Sequence, residues 1–438
     1  MSQYTELLNT WAETLSIDDD DFEDKLLDIA RLFRGFSEAL TAFIAKHGYT
    51  GDLGNAASKA RFLSSRFREA GIRPLHSFRA LFSPNAEIER ETAYKICFAL
   101  GLGVDETNEF FKCVQFERSF DCHTIREAVY YFCIKNNRSY SEAEAILARI
   151  PVPKKVKTIP GRGVLYTGAI IDCLDSIKDS ETLIQYISDN INDFQYNNVT
   201  AIQDIRELWS DISKADGLAV KEGAILDKAF NRFVKIDLKK EQLDSNNEMD
   251  RLRRENLLEE RKWQEQNVKP EDYVVAYPGA SIWIIFSQIL GLANYQESKY
   301  AMEHDRSLAS VLSGNKLMPL KTAYCFPSRQ NIEKLIRGEL VGDNEIVRKM
   351  LIFLTFYTYW AKIIIGQNDA FYKATPSDRE RCFDTINNRL YYAGYPDLYA
   401  GNPYDWLFMW ALNNDTPLEA FRYYMGEVFA ERKEEENY

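Results

Sequence analysis

The sequence predicts an all-α, multi-helical protein. Apolar residues recur at spacings of three and four along nearly every segment of the 438 residues, and runs alternating with period two are very few. Hydrophobic residues make up 45% of the chain and aromatic residues 13%, enough for sizeable cores, while 27% charged residues supply a solvated surface. A chain this long exceeds one compact core, so roughly two to four units are expected.

Each element follows from a local signal. Residues 1–55 form N-terminal helices: one helix, the acidic run from Asp18 to Asp24, then a second helix through Ile29, Leu32, Phe36, Leu40 and Phe43. The acidic run starts that second helix, because negative charge favours the positive end of the helix dipole. Residues 56–150 hold a dense series of short helices, and a linker at 151–163, carrying Pro151, Pro153, Pro160, Gly161 and Gly163, closes them. A middle helical region occupies 164–238, with helices through Ile170, Leu174 and Ile177 and through Leu183, Tyr186, Ile187 and Ile191. Between 239 and 269, eight basic and eight acidic side chains surround sparse apolar positions. That pattern predicts a charged helical linker held partly by pairs three and four residues apart. Residues 270–430 form an aromatic-rich C-terminal helical module, and 431–438 a frayed charged tail.

Composition excludes several classes. A net charge of −12 opposes coating nucleic acid through bulk electrostatics, though it leaves room for a local basic patch. No segment approaches the roughly 18 uninterrupted apolar residues of a membrane span. The best stretch, residues 280–293, is broken by Ser287 and Gln288 and reads as a buried core helix. The first residues, Met1 to Glu6, lack the basic start and apolar run of a secretory signal, so a cytoplasmic protein without membrane contact is expected. Seven cysteines, with no Cys-x-x-Cys pair, indicate neither a zinc site nor a disulfide framework. Cys97, Cys113 and Cys133 suit small core positions, and neither metal nor cofactor is expected.

The two halves carry a faint internal repeat. At an offset of 254, residues 78–100 lie over 332–354, pairing Leu81 with Leu335, Phe82 with Ile336, Glu91 with Glu345, Lys95 with Lys349, Cys97 with Leu351 and Leu100 with Leu354. After some 25 additional residues in the second copy, the match resumes near offset 279, with Phe111 on Leu390, Phe116 on Tyr395 and Phe120 on Tyr399. A one-residue slip then sets Glu127 on Asp405, ahead of an aromatic helix in each copy at 128–133 and 406–411. The C-terminal module is therefore expected to be a diverged second copy.

Residues 62–82 have the layout of two short helices joined at a glycine. Gly71 tolerates a left-handed turn, Ile72 plugs the corner, and Pro74 suits the first turn of a second helix over residues 74–82. A third amphipathic helix follows over 89–100, Gly101 stops it, and Asp105 caps a fourth through Phe110, Phe111 and Val114. Together with Arg90-Glu91-Thr92, Ala99-Leu100-Gly101-Leu102 and Glu106-Thr107-Asn108-Glu109, this makes residues 56–130 resemble a degenerate lambda-repressor-type (XRE-like) helix-turn-helix domain. The resemblance implies double-stranded DNA as partner and a role in transcription regulation, the rest of the chain sensing a signal or forming a homo-oligomer.

One departure from that family concerns the second helix, which usually presents short polar side chains to base edges. Here Leu75, Phe78, Leu81 and Phe82 dominate, leaving Arg73, His76, Ser77 and Arg79 as the base or groove contacts. Between 59 and 79 there are six basic side chains against Glu69 alone, a local +5 in a chain of −12. That excess assigns Lys59, Arg61, Arg66 and Arg68 to phosphates. The bland alternative pairs these cations with the acidic run at 18–24 and with Glu87 and Glu89.

Two further readings stand beside this one. A helical scaffold whose motif no longer binds DNA would use its aromatic second half for a protein partner, Pro396, Gly401 and Pro403 making the loop at 394–406 rigid. Arg118 and His123 fit the Arg-x4-His spacing of helical endoribonucleases of the HEPN type, which requires both on one open face. Gly161-Arg162-Gly163 lacks the lysine-serine ending of a phosphate loop, and the histidines stand singly, so no catalytic residue is expected.

Overall fold

Caps and breaks set where the helices of this chain begin and end. The computed structural model describes residues 3–16, 19, 21–84, 86–151, 167–194, 198–234, 249–255, 275–291, 329–339 and 341–425. Among them the protein is all-helical, without strands. The chain divides into unit 1, residues 1–206, 310–353 and 383–410, and unit 2, residues 207–309, 354–382 and 411–438. Most of the expected linkers at 151–163 and 239–269, and the tail at 431–438, lie outside the described residues; residues 249–255 are helical, with Met249 and Leu252 exposed.

The N-terminal helices are α1 (Gln3–Thr14), α2 (Phe22–Leu32) and α3 (Phe36–Lys46). The expected single second helix is in fact two, because Phe33 turns extended and Gly35 starts afresh, its N–H donating to the Glu38 carboxylate at 3.2 Å. Next come α4 (Ala56–Glu69), a 3-10 turn (Arg79–Phe82), α5 (Arg90–Leu100) and α6 (Val104–Phe110), which runs on as a π turn (Phe111–Gln115). Gly103, not Asp105, caps α6, and its N–H donates to Glu106 at 2.9 Å.

Then α7 (Ile125–Lys135) is buried almost all round, from Glu127 to Ile134, which makes it the central helix of the first core. Tyr94, on α5, packs against Phe111 and Tyr130 with ring centroids 4.9 and 5.0 Å apart. Further along the chain are α8 (Tyr140–Leu147), α9 (Thr167–Ser176), α10 (Ser180–Asp189), α11 (Val199–Ser213), α12 (Leu218–Val234) and α13 (Ile282–Leu290). The last described helices are α14 (Arg329–Arg337), α15 (Asn344–Gln367), α16 (Pro376–Tyr392), α17 (Pro403–Asn413) and residues 417–425.

As expected, α13 is a buried core helix. Among the described residues it is α15 that is long and apolar enough to cross a membrane, and 67% of its apolar window is buried within the fold. All six described cysteines are free thiols, and Cys97, Cys122, Cys133 and Cys382 are buried.

Two arginine–carboxylate knots organise unit 1. Arg90, at the start of α5, grips Glu127 in the first turn of α7 through Nε–Oε1 and Nη2–Oε2 contacts of 2.6 and 2.7 Å. It also donates to the Arg118 carbonyl at 2.6 Å, and the Asp121 N–H donates to Glu127. Arg348, in the first turns of α15, grips Asp405 in the first turn of α17 through two bonds of 2.5 and 2.8 Å. It donates to the Pro396 carbonyl at 3.2 Å, and the Tyr399 N–H donates to Asp405 at 2.9 Å. In both knots the carbonyl stands nine residues before the carboxylate and the N–H donor six.

The backbone agrees with this pairing at an offset of 278. Thr124 N–H donates to the Asp121 carbonyl and Asn402 N–H to that of Tyr399, both at 2.8 Å. Left-handed Phe116 (φ 56°) meets left-handed Gly394 (φ 76°). The π turn at 111–115 lies just ahead of these shared features in the first segment. At this offset Phe116 stands with Gly394 and Asp121 with Tyr399, one residue from the offset of 279 read in the sequence for this stretch.

Unit 2 has its own core and its own buried charge. Trp209 stacks on Phe286 at 5.2 Å, and Phe356 packs on Phe421 at 5.7 Å. Glu222, fully buried, accepts from Arg422 at 2.7 Å, Tyr357 at 2.8 Å and Gln288 at 2.7 Å. With each oxygen engaged, this carboxylate has the partners a buried charge requires.

Candidate nucleic-acid interface

The basic segment is built on α4. Asn55 caps the helix, its side-chain oxygen accepting from the Ser58 N–H at 3.0 Å. Lys59, Leu63 and Phe67, four residues apart, form the buried stripe, so Arg61, Ser65 and Arg68 face outward. The helix ends in a Schellman turn: Gly71 is left-handed (φ 68°), Ile72 N–H reaches the Phe67 carbonyl at 2.8 Å, and Ile72 is buried. Gly71 and Ile72 thus hold the positions the sequence suggests.

The second helix over 74–82 is absent. Residues 72–78 have no regular secondary structure, and only the 3-10 turn Arg79–Phe82 follows. Ser77 acts as the local cap, its Oγ accepting from the Ala80 N–H at 3.3 Å. Pro84 holds Ser83 extended, so one turn is all that fits between cap and stop. Phe78 anchors the strap, packed edge-on against Phe67 at 4.9 Å, and Leu81 is buried. Arg73, His76 and Ser77 therefore lie exposed on the strap and exposed Arg79 opens the 3-10 turn, rather than all four lying on a recognition helix.

The phosphate candidates divide. Arg61 and Arg68 are exposed and bond only within α4, to the Ala57 carbonyl at 3.4 Å and the Ser64 hydroxyl at 3.5 Å. Arg66 is half-buried, lies over the Phe62 ring and pairs with Glu69 at 3.4 Å. Lys59 is buried: its ammonium donates to Thr41 Oγ1 at 2.9 Å and lies 4.7 Å from the Phe82 ring. Burial pushes the Lys59 pKa down, and a buried ammonium cannot reach a phosphate, so its assignment as a phosphate contact is corrected. Among the described residues, no ion pair joins Arg61, Arg68, Arg73 or Arg79 to Glu87, Glu89 or any other carboxylate.

Arg118 and His123 are both fully buried, so the open face an RNA phosphate needs is missing. Arg118 donates to Asn198 at 3.1 Å, pairs with Asp121 at 3.5 Å and lies over the Tyr395 ring. His123 Nδ1 donates to the Asp193 carbonyl at 3.0 Å, which holds a proton on that nitrogen. Burial lowers its pKa. Among the described residues, no group of three metal-ligating side chains occurs. The loop ahead of α17 is packed rather than presented, with Tyr395, Leu398 and Ala400 buried.

Arg90 and Arg348 escaped prediction as organising residues. Their signal is an arginine near the start of one helix facing an acid in the first turn of an aromatic helix far along the chain. No protein-family model, curated protein or solved structure matches this chain.

Proposed function

We propose that unit 1 binds nucleic acid, double-stranded DNA first among candidates, through phosphate contacts from Arg61, Arg68, Arg73 and Arg79, and that the protein is a helical regulator. The observation that carries this reading is four exposed arginines within nineteen residues of sequence, without carboxylate partners among the described residues, in a chain of net charge −12. Exposed cations left without carboxylate partners in so acidic a chain suit a polyanion. The region is a degenerate helix-turn-helix scaffold, retaining the Gly71 and Gly101 turns but lacking a helix to read the major groove. Binding is therefore driven by counterion release and is only weakly sequence-selective. We infer further that the paired knots are the remnant of a duplication.

Anisotropy of a fluorescent duplex from the protein's own promoter region, titrated across a salt series, tests the reading. Four phosphate contacts give a log–log salt slope of about −3.6, and the variant with all four arginines replaced by alanine loses binding. Folded protein that fails to bind at low salt sinks it. A second reading, a protein-interaction scaffold, rests on the exposed pair Tyr391 and Tyr392 at the end of α16, 72% and 63% exposed. Large exposed aromatics of this kind are enriched at interfaces.

A further inference from the structure

We propose that a cavity in unit 1, of ≈ 230 Å³, is a binding site for a small aromatic anion, a carboxylate or phosphate monoester of about one ring. It lies among α1, α3, the π turn and the loop around Tyr399, and its volume falls below the roughly 300 Å³ where pockets for drug-sized ligands begin. Tyr4, Phe43, Phe116 and Tyr399 supply aromatic walls.

Two cations, Arg34 and Lys46, line the cavity. The Arg34 guanidinium lies 4.1 Å from the centroid of the Tyr4 ring, is half-buried, and has no carboxylate partner among the described residues. A half-buried guanidinium resting on an aromatic face keeps its donor edge for a planar anion. Lys46 pairs with Glu109 at 2.5 Å, both well exposed, an exchangeable pair on the lining. Lys112 lies 5.8 Å from the Tyr399 ring and adds positive potential on that side.

The backbone points to the same place. The π turn that carries Cys113 and Val114 into the lining lies just ahead of the features the two segments share. Its last contribution, Phe116, holds φ 56° at a position where the other segment has glycine. Left-handed bulky residues cost about 1–3 kcal/mol, and π turns concentrate at functional sites, so strain here coincides with the cavity it shapes.

Cys113 makes the test direct, because its thiol lines the cavity and is partly exposed. The full-length protein is alkylated with iodoacetamide, and the rate at Cys113 is read by peptide mass spectrometry, with half-exposed Cys173 as internal control. The probes are millimolar phenyl phosphate, 4-nitrobenzoate and the uncharged 4-nitrobenzyl alcohol. Expected is slowing of Cys113 alone by one or both anions, about tenfold when the probe exceeds its dissociation constant about tenfold. Which anion acts separates phosphate from carboxylate. The alcohol has little effect, Arg34→Gln abolishes the protection, and Arg34→Lys keeps part of it. Unchanged Cys113 rates with both anions, equal protection by the alcohol, or protection that survives in Arg34→Gln would each overturn the proposal. The readout needs no nucleic acid, so its failure leaves the proposed nucleic-acid binding untouched.

Discussion

At the residue scale, the buried charges carry the sharpest consequences. An ion pair taken out of water loses hydration that its mutual attraction barely restores, yet removing one partner strands the other at a cost of about 3–5 kcal/mol. Glu127→Ala and Asp405→Ala should each lower unfolding stability by about that amount, read as a shifted urea midpoint. Replacing Arg348 and Asp405 together by methionine and leucine should recover most of the loss, since no charge is then stranded. His123 makes the complementary case. Burial lowers its folded pKa below the unfolded value of about 6.5, so its contribution to stability is present above that pH. It is lost as pH falls through the unfolded value towards the folded one. Melting temperature should therefore fall between about pH 7.5 and pH 5.5, and the fall should be shallower in His123→Gln. Parallel slopes for the two proteins would show that the imidazole is not held neutral.

At the scale of elements, glycine turns separate strain from crowding. A Cβ on Gly71 would meet nothing within 4 Å, so Gly71→Ala should cost only the left-handed conformation, about 1–2 kcal/mol. Gly338 is also left-handed (φ 73°), but a Cβ there would run into the Arg206 side chain. Gly338→Ala should therefore lower the melting temperature more than Gly71→Ala does, and equal shifts would mean that Arg206 swings aside at no cost. These turns were legible because a glycine stop and the buried residue after it are neighbours in sequence, as with Gly71 and Ile72 or Gly101 and Leu102. The helix over 74–82 was misread because Pro74 announces a first turn, whereas the competing cap at Ser77 and stop at Pro84 leave room for only one. The break at Phe33 to Gly35 was hidden by apolar spacing that continues across it. The knots were out of reach for another reason. At offset 254 Arg90 falls on Asn344 and Arg348 on Tyr94, so the two arginines lie one helical turn apart in register. The acids Glu127 and Asp405 could be aligned from sequence, but their partners could not.

At the scale of the molecule, the tension is between a net charge of −12 and a local excess of arginine. Bulk repulsion from nucleic acid must be overcome by a few contacts, which makes the proposed binding unusually sensitive to each one. The structure sorts the basic residues of the segment into four exposed arginines, the half-buried Arg66 paired with Glu69 and one buried lysine, and this sorting is itself testable. Each single substitution of Arg61, Arg68, Arg73 or Arg79 by alanine should reduce the magnitude of the salt slope by about 0.9, because one fewer counterion is released. Lys59→Met should leave the slope unchanged, since its ammonium is spent inside the fold on Thr41 and the Phe82 ring. Sequence should matter little: a scrambled duplex of equal length should bind nearly as well, because no helix at 74–82 is present to reach base edges. A steep preference for the promoter sequence would mean that Arg73 or Arg79 reads bases from the strap itself, and a slope that falls in Lys59→Met would mean that α4 rearranges on binding.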